Sequence, residues 1–166
     1  YKDVHSVSLT GGEPLLSVEF LKEFLPLVNK KIYLETNATL SEKFLEIKPF
    51  VDIVSADIKL ESATGIKDSY KFHDKFFEAC KGVETFAKIV FNSKITDEEI
   101  AKCCELGKKY GIELVLQPEM GFDNTLEHPD FMTVNSEFCA KILDKFLANY
   151  SNVRLIPQVH KFLDVR

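Results

Sequence analysis

The 166-residue chain has no apolar run near the roughly 18 residues that a membrane-spanning helix needs, and no signal-peptide pattern at its start. It has no excess of positive charge: 21 Lys and Arg stand against 26 Asp and Glu, for a net charge of −5. Its only lysine pairs, Lys30-Lys31 and Lys108-Lys109, fall at the ends of expected helices. Phosphate binding on nucleic acid needs clustered Lys and Arg, so neither a nucleic-acid nor a membrane partner is expected. There is no GxGxxG and no P-loop lysine, which excludes the common phosphate cradles. The four cysteines, Cys80, Cys103, Cys104 and Cys139, form no CxxC pair and match no metal-ligand spacing. Each lies on the apolar side of an expected helix and reads as a small buried hydrophobe in a reducing, cytoplasmic compartment. No internal repeat, low-complexity stretch or interdomain linker interrupts the chain.

What is present is an ordinary globular composition, 45% hydrophobic and 28% charged, in a chain long enough to bury one core. Short apolar runs alternate with amphipathic helical patterns. Strands are expected at Val4–Leu9, Lys31–Leu34, Val51–Ala56, Ala87–Phe91, Ile112–Leu116 and Val153–Ile156. Between them Phe20, Leu21, Phe24, Leu25 and Val28 recur with a helical period, and a short helix carries Leu40, Phe44, Leu45 and Ile47 up to Pro49. A polar loop is expected over about 61–69 and a helix over about 71–85, with Phe72, Phe76 and Phe77 in the core. Thr96 and Glu99 form a capping-box pattern opening a helix that ends at Gly111, a natural helix-stop residue. An irregular loop over about 120–133 precedes a last helix carrying Phe138, Cys139, Ile142, Leu143 and Phe146. Strands separated by helices predict βαβ crossovers and a parallel sheet. The near-continuous apolar strands suit a sheet covered on both faces. His5, His73 and His128 are scattered and read as structural or surface residues.

Polar residues recur where the strands stop: Thr10-Gly11-Gly12-Glu13, Glu35-Thr36-Asn37, Asp57-Ile58-Lys59, Asn92, Gln117, then Gln158 and His160. In α/β sheets and barrels ligands bind at the carboxyl ends of the strands, so this recurrence points to one site built from several strands. Gly11 and Gly12 let the chain turn sharply and open backbone carbonyls to a ligand, Glu13 adds an acceptor, and Pro14 stiffens the exit. Two readings fit this loop: an acceptor-rich seat for an ammonium group, or a plain turn with a glycine pair.

Gly11-Gly12-Glu13-Pro14 after an apolar strand resembles the GGEP motif of radical S-adenosylmethionine (SAM) enzymes. Glu35-Thr36-Asn37 and Asp57-Ile58-Lys59 look like the next two strand ends of that family. The tail Arg154-Leu-Ile-Pro157-Gln158-Val-His160-Lys161 resembles the 7-carboxy-7-deazaguanine synthase branch. The resemblance implies a partial parallel (β/α)6-type radical SAM barrel, from strand two onward. It would form a single domain over 1–166, strands two to six plus a C-terminal tail. It implies SAM binding by Gly11, Gly12, Glu13, Pro14, Asn37, Lys59, Asn92 and Gln117, with Glu35, His160 and Lys161 toward the substrate. The family's CxxxCxxC loop, whose thiolates hold a 4Fe-4S cluster, is absent from this sequence. The chain also opens with Tyr1 and enters a strand within a few residues. The expectation is an internal or C-terminal piece of a longer protein, without activity of its own, with the cluster and Mg2+ belonging to the intact parent. That parent would turn 6-carboxy-5,6,7,8-tetrahydropterin into 7-carboxy-7-deazaguanine through a 5′-deoxyadenosyl radical, drawing electrons from a flavodoxin or ferredoxin. The alternatives are a glycyl-radical-enzyme activating enzyme, which needs a large protein partner, and a non-catalytic SAM-binding or scaffold module. A sheet edge left open by the missing first strand is expected to pair with a second copy, giving a homodimer.

Overall fold

The computed structural model describes residues 3–67, 69–119 and 136–158. Among them six strands form one parallel sheet in the order of the sequence: β1 (Ser6–Leu9), β2 (Lys31–Thr36), β3 (Ile53–Ile58), β4 (Glu84–Phe91), β5 (Glu113–Pro118) and β6 (Val153–Leu155). The helices are α1 (Val18–Phe24), α2 (Ser41–Ile47), α3 (Glu61–Thr64), α4 (Tyr70–Ala79), α5 (Asp97–Tyr110) and α6 (Ser136–Leu147). Consecutive parallel strands joined by right-handed crossovers put every helix on the same side of the sheet. The two faces accordingly differ. On the helix side Leu34, Val54, Ala56, Ile58, Ala87, Ile89, Leu114 and Leu116 are buried against Phe44, Phe76, Phe77, Leu106 and Phe146. The other face carries Glu35, Ser55, Asp57, Lys88 and Gln117, and most of it is only half-buried. The expected cover on both faces is therefore found on one face among the described residues, because the sheet's second face is the inside of the barrel arc.

Local chemistry explains the main elements. Both halves of the capping box form at α5: the Glu99 amide donates to Thr96 Oγ1 at 3.2 Å, and the Thr96 amide to Glu99 Oε2 at 2.9 Å. Gly111 closes α5 in the left-handed region at φ 67°. Within the same helix Gly107 lies under the Tyr150 ring, where an added Cβ would come within 2.7 Å of a ring carbon. Tyr150 is fixed from its other end by a 2.9 Å bond from its hydroxyl to the Ile112 carbonyl. All four cysteines are buried and free, as the sequence suggested. Burial pushes the Cys80 thiol up to about 12 and Cys104 to about 11, so neither is a thiolate at neutral pH.

Several expectations change in detail. Phe20 and Phe72, expected in the core, are exposed, and Phe20 stacks instead on Phe24 at 5.5 Å. The α1 region is a helix flanked by 3-10 turns at Pro14–Ser17 and Leu25–Leu27, and Phe20 stands roughly 100° round it from Leu21, off the buried row of Val18 and Leu21. As expected, the helix before Pro49 stops, with α2 ending at Ile47, and Pro49 sits in the 3-10 turn Lys48–Phe50, where its missing amide costs no helical bond. The segment expected as a polar loop contains the single turn α3. The helix expected to reach residue 85 stops at Ala79; Gly82, at φ 87°, turns the chain, and Glu84 and Thr85 already pair with β3. The irregular loop over about 120–133, His128, His160 and Lys161 lie outside the described residues.

Candidate cofactor and substrate site at the strand ends

Because all six strands are parallel, their carboxyl ends meet at one edge of the sheet. The loop after β1 is shaped by Gly11 (φ 89°) and Gly12 (φ 56°), a backbone that other residues adopt only with strain. An added Cβ at either would meet no atom within 4 Å, so the space above both is open. Glu13 follows in extended conformation and caps the Pro14–Ser17 turn by accepting from the Leu15 amide at 3.2 Å. The same carboxylate reaches the neighbouring strand end, accepting from Thr36 Oγ1 at 2.8 Å and the Asn37 amide at 2.7 Å. A carboxylate has about four lone-pair positions. Three are filled, which leaves room for one further donor such as an ammonium.

Asn37 closes its own turn, its Oδ1 accepting from Thr39 Oγ1 at 2.6 Å and the Thr39 amide at 3.1 Å. Ala38 has a positive φ of 55°, the sole non-glycine described residue to do so, and is fully buried. Strain of this kind persists where its surroundings over-determine the backbone.

An ionic chain crosses the inner face below this edge. Lys59 Nζ sits 2.9 Å from Asp57 Oδ2, and Lys88 Nζ is 3.0 Å from Asp57 Oδ1 and 4.0 Å from Glu35 Oε2. Thr10 Oγ1 donates to Glu35 Oε2 at 3.4 Å. Glu35, Asp57 and Gln117 belong to the strands rather than following them, since the ladder continues through Glu35↔Ser55, Asp57↔Lys88 and Val90↔Gln117. Residues in register on parallel strands point to the same face, which places these side chains together on the inside. Burial alone would lower the Lys88 ammonium, but Asp57 and then Glu35 outweigh it and hold its pKa above the ordinary lysine value. Asp57, Lys59, Lys88, Val90 and Glu119 help to wall a cavity of about 230 Å³ at the mouth. On its far side Asn92 Nδ2 donates to Glu119 Oε2 at 2.8 Å, while Asn92 Oδ1 takes the Lys94 amide.

The sequence-expected residues that the structure describes thus gather at one edge, but not all in contact, and His160 and Lys161 lie outside the described residues. Glu13 touches the Asn37 loop; Lys59 is paired to Asp57; Asn92 bonds Glu119; Gln117 makes no bond to the others. Four contributors had no site role in the sequence reading: Lys88 and Glu119, Thr36, named only as part of a strand end, and His73, read as structural or surface. Lys88 had a signal, a lone charge inside the apolar run Phe86–Phe91 at an inward-facing parity. His73 had one too, since it shares the helical row of Phe76 and Phe77.

The open acceptor position of Glu13 and the lysine cations at the mouth fit the ammonium and carboxylate of an amino-acid-like group such as that of SAM. They do not suit a 4Fe-4S cluster: every cysteine of the chain is buried, and among the described residues no group of three or more His, Cys, Asp or Glu is arranged to hold a metal. Nor is any helix among them long and apolar enough to cross a membrane.

The crystal structure of archaeal TYW1 superposes with a TM-score of 0.56 over 89% of this chain and 50% of that one, at 16% identity, a likeness of fold alone. No protein-family model matches the chain. The six-stranded parallel arc is the architecture of a partial (β/α)6-type barrel. The chain is 34% identical over 162 residues to the 7-carboxy-7-deazaguanine synthase of Geobacter sulfurreducens and 35% identical over 169 residues to that of Archaeoglobus fulgidus. With the synthase of Thermococcus kodakarensis it shares 32% over 171 residues. It covers 62%, 68% and 64% of those relatives' lengths respectively. The chain belongs to the 7-carboxy-7-deazaguanine synthase family of radical SAM proteins.

Proposed function

We propose that the intact protein, of which this chain forms the greater part, makes 7-carboxy-7-deazaguanine from 6-carboxy-5,6,7,8-tetrahydropterin. The observation that carries this reading is the inner-face chain Lys59–Asp57–Lys88–Glu35, which sets cations and carboxylates alternately beneath an open glycine turn. Such alternation suits ligands that are themselves zwitterionic or carboxylated. Relatives bearing the synthase name, at 34% and 35% identity, support the same reading.

In this reading the carbonyls of Gly11 and Gly12 and the remaining acceptor position of Glu13 take the SAM ammonium, with Pro14 fixing the turn. Lys59 pairs with the SAM carboxylate; its ammonium has three donors and commits one to Asp57. Asn37, Asn92 and Gln117 contact the rest of the cofactor. Glu35 faces the pterin, and His160 and Lys161 from the tail meet its anionic, heteroaromatic ring. Bound SAM supplies the family's radical chemistry. The chain's own residues orient it and exclude water. This stretch provides no ligands for the cluster, so by itself it is inactive; the cluster and Mg2+ belong to the intact protein. The setting is cytoplasmic, with a flavodoxin or ferredoxin as electron donor. Among the described residues strand β1 is an open edge, and Leu16, Phe20 and Leu27 are exposed, which supports a homodimer.

The test is anaerobic. The intact protein is reconstituted with iron and sulfide, reduced, and followed for 5′-deoxyadenosine with and without the pterin. Pterin-dependent formation of carboxydeazaguanine is expected. SAM cleavage indifferent to the pterin would overturn the substrate and favour an activating enzyme.

A further inference from the structure

We propose that His73 is a positioning residue for the SAM site, setting the backbone of two strand-end loops from behind. This rests on reading the strand-end mouth as the SAM site. His73 is fully buried in the first turn of α4. Its Nε2 accepts from the Lys59 amide at 3.2 Å, and its Nδ1 lies 3.2 Å from the Ala38 carbonyl. An amide can only donate and a carbonyl can only accept, so the ring is neutral with its proton on Nδ1. One imidazole therefore joins the loop after β2 to the loop after β3.

Each loop is tied elsewhere in a way that makes this joint matter. Ser69 Oγ donates to the Lys59 carbonyl at 2.8 Å, so the start of α4 grips the Lys59 peptide at both its amide and its carbonyl. Ala38 is the residue held at positive φ; Thr36 Oγ1 accepts from its amide at 3.2 Å while His73 takes its carbonyl. Thr36 in turn donates to Glu13. The run Glu13–Thr36–Ala38–His73–Lys59 thus connects the acceptor expected at the SAM ammonium to the cation expected at its carboxylate. A shift of the ring moves both ends of the ligand seat. Burial, with Lys59 adding to it, holds the imidazole down to about 4 against the opposing pull of the Ala38 carbonyl and Asp57. The ring is thus neutral throughout the working pH range, and the joint does not open by titration there.

The test compares four variants of the intact protein. His73→Phe keeps the ring volume and loses both bonds. His73→Gln carries a terminal amide that reaches the Nε2 position; His73→Asn reaches only the Nδ1 position. Phe76→Leu, one turn along α4, serves as a control for lost stability. SAM affinity is measured by equilibrium dialysis, and exchange of the Lys59 amide by hydrogen–deuterium exchange. A lost bond that fixes the seat is worth about tenfold in affinity or more. His73→Phe is expected to weaken SAM binding by that factor, with His73→Gln and His73→Asn, which each keep one of the two bonds, recovering part of it and Phe76→Leu unchanged within about twofold. Equal weakening in His73→Phe and Phe76→Leu would overturn the proposal, leaving His73 a core residue only. A wild-type protein that takes up no SAM would sink the ligand reading instead. The Lys59 amide then decides alone: exchange at least about tenfold faster in His73→Phe than in Phe76→Leu supports the joint, and equal rates refute it.

Discussion

The two faces of the sheet are built from the same six strands and do opposite things. The helix-side face is Leu, Val, Ile, Ala and Phe, closed over by α1, α2, α4, α5 and α6. The inner face alternates Glu35, Asp57 and Lys88 across neighbouring strands and leaves them half-buried, Asp57 and Lys88 at the wall of a cavity. One face holds the fold together through area removed from water. The other holds charges in partial burial, where they are costly for stability and strong toward ligands. Side-chain parity along a strand is what separates them, since residues one apart serve different ends.

The largest effect belongs to the helix side. Phe76 is fully buried and packs on Phe44 at 5.1 Å between centroids. Phe76→Ala leaves a cavity at the centre of the helix layer and is expected to cost about 3–5 kcal/mol in equilibrium urea unfolding. No comparable loss is expected from any single truncation on the inner face.

Next comes acid. The imidazole of His73 titrates near 6.5 when unfolded and near about 4 when folded, because burial opposes its charge. A base whose folded pKa is depressed has its full stability above the unfolded value. Stability is then lost as pH falls from about 6.5 to about 4, because the unfolded chain takes up the proton first. The drop from this group is roughly 3 kcal/mol. Urea unfolding at a series of pH values should show it, and His73→Gln should remove most of that slope. A smaller effect tests packing without charge: Gly107→Ala drives a methyl into the Tyr150 ring and should destabilise by about 1–3 kcal/mol, with no effect on SAM affinity.

Sequence pattern was informative where one residue type has one physical reason. The capping box at Thr96 and Glu99, the stop at Gly111, the parallel order and the buried cysteines were all readable that way. Phe20 and Phe72 misled because helical spacing to one apolar neighbour does not put a residue on the buried row: each stands roughly 100° round the helix from it, the rows being Val18 and Leu21 in α1 and His73, Phe76 and Phe77 in α4. The inner face was partly legible: Gly11-Gly12-Glu13 and Lys59 stand at turns, where polar residues draw notice. Lys88 sits in mid-strand among apolar neighbours, and its partners, Asp57 and Glu35, lie on other strands; only register brings them together. His73 was hidden for a similar reason, because its two bonds reach 35 and 14 residues away to backbone atoms, which leave no mark on side-chain pattern.

The most direct test of the account measures stability and turnover on the same samples of the intact, reconstituted protein, comparing Asp57→Asn and Lys88→Met with wild type. Each change removes a charge-assisted contact on the inner face, worth about 1.5–3 kcal/mol toward a bound ligand, or about 10- to 100-fold in rate. The account predicts that both variants stay folded, lose no more than about 2 kcal/mol in urea unfolding, and form carboxydeazaguanine at least about tenfold more slowly. Turnover within about twofold of wild type in both would contradict it, leaving the charged inner face without a part in the chemistry.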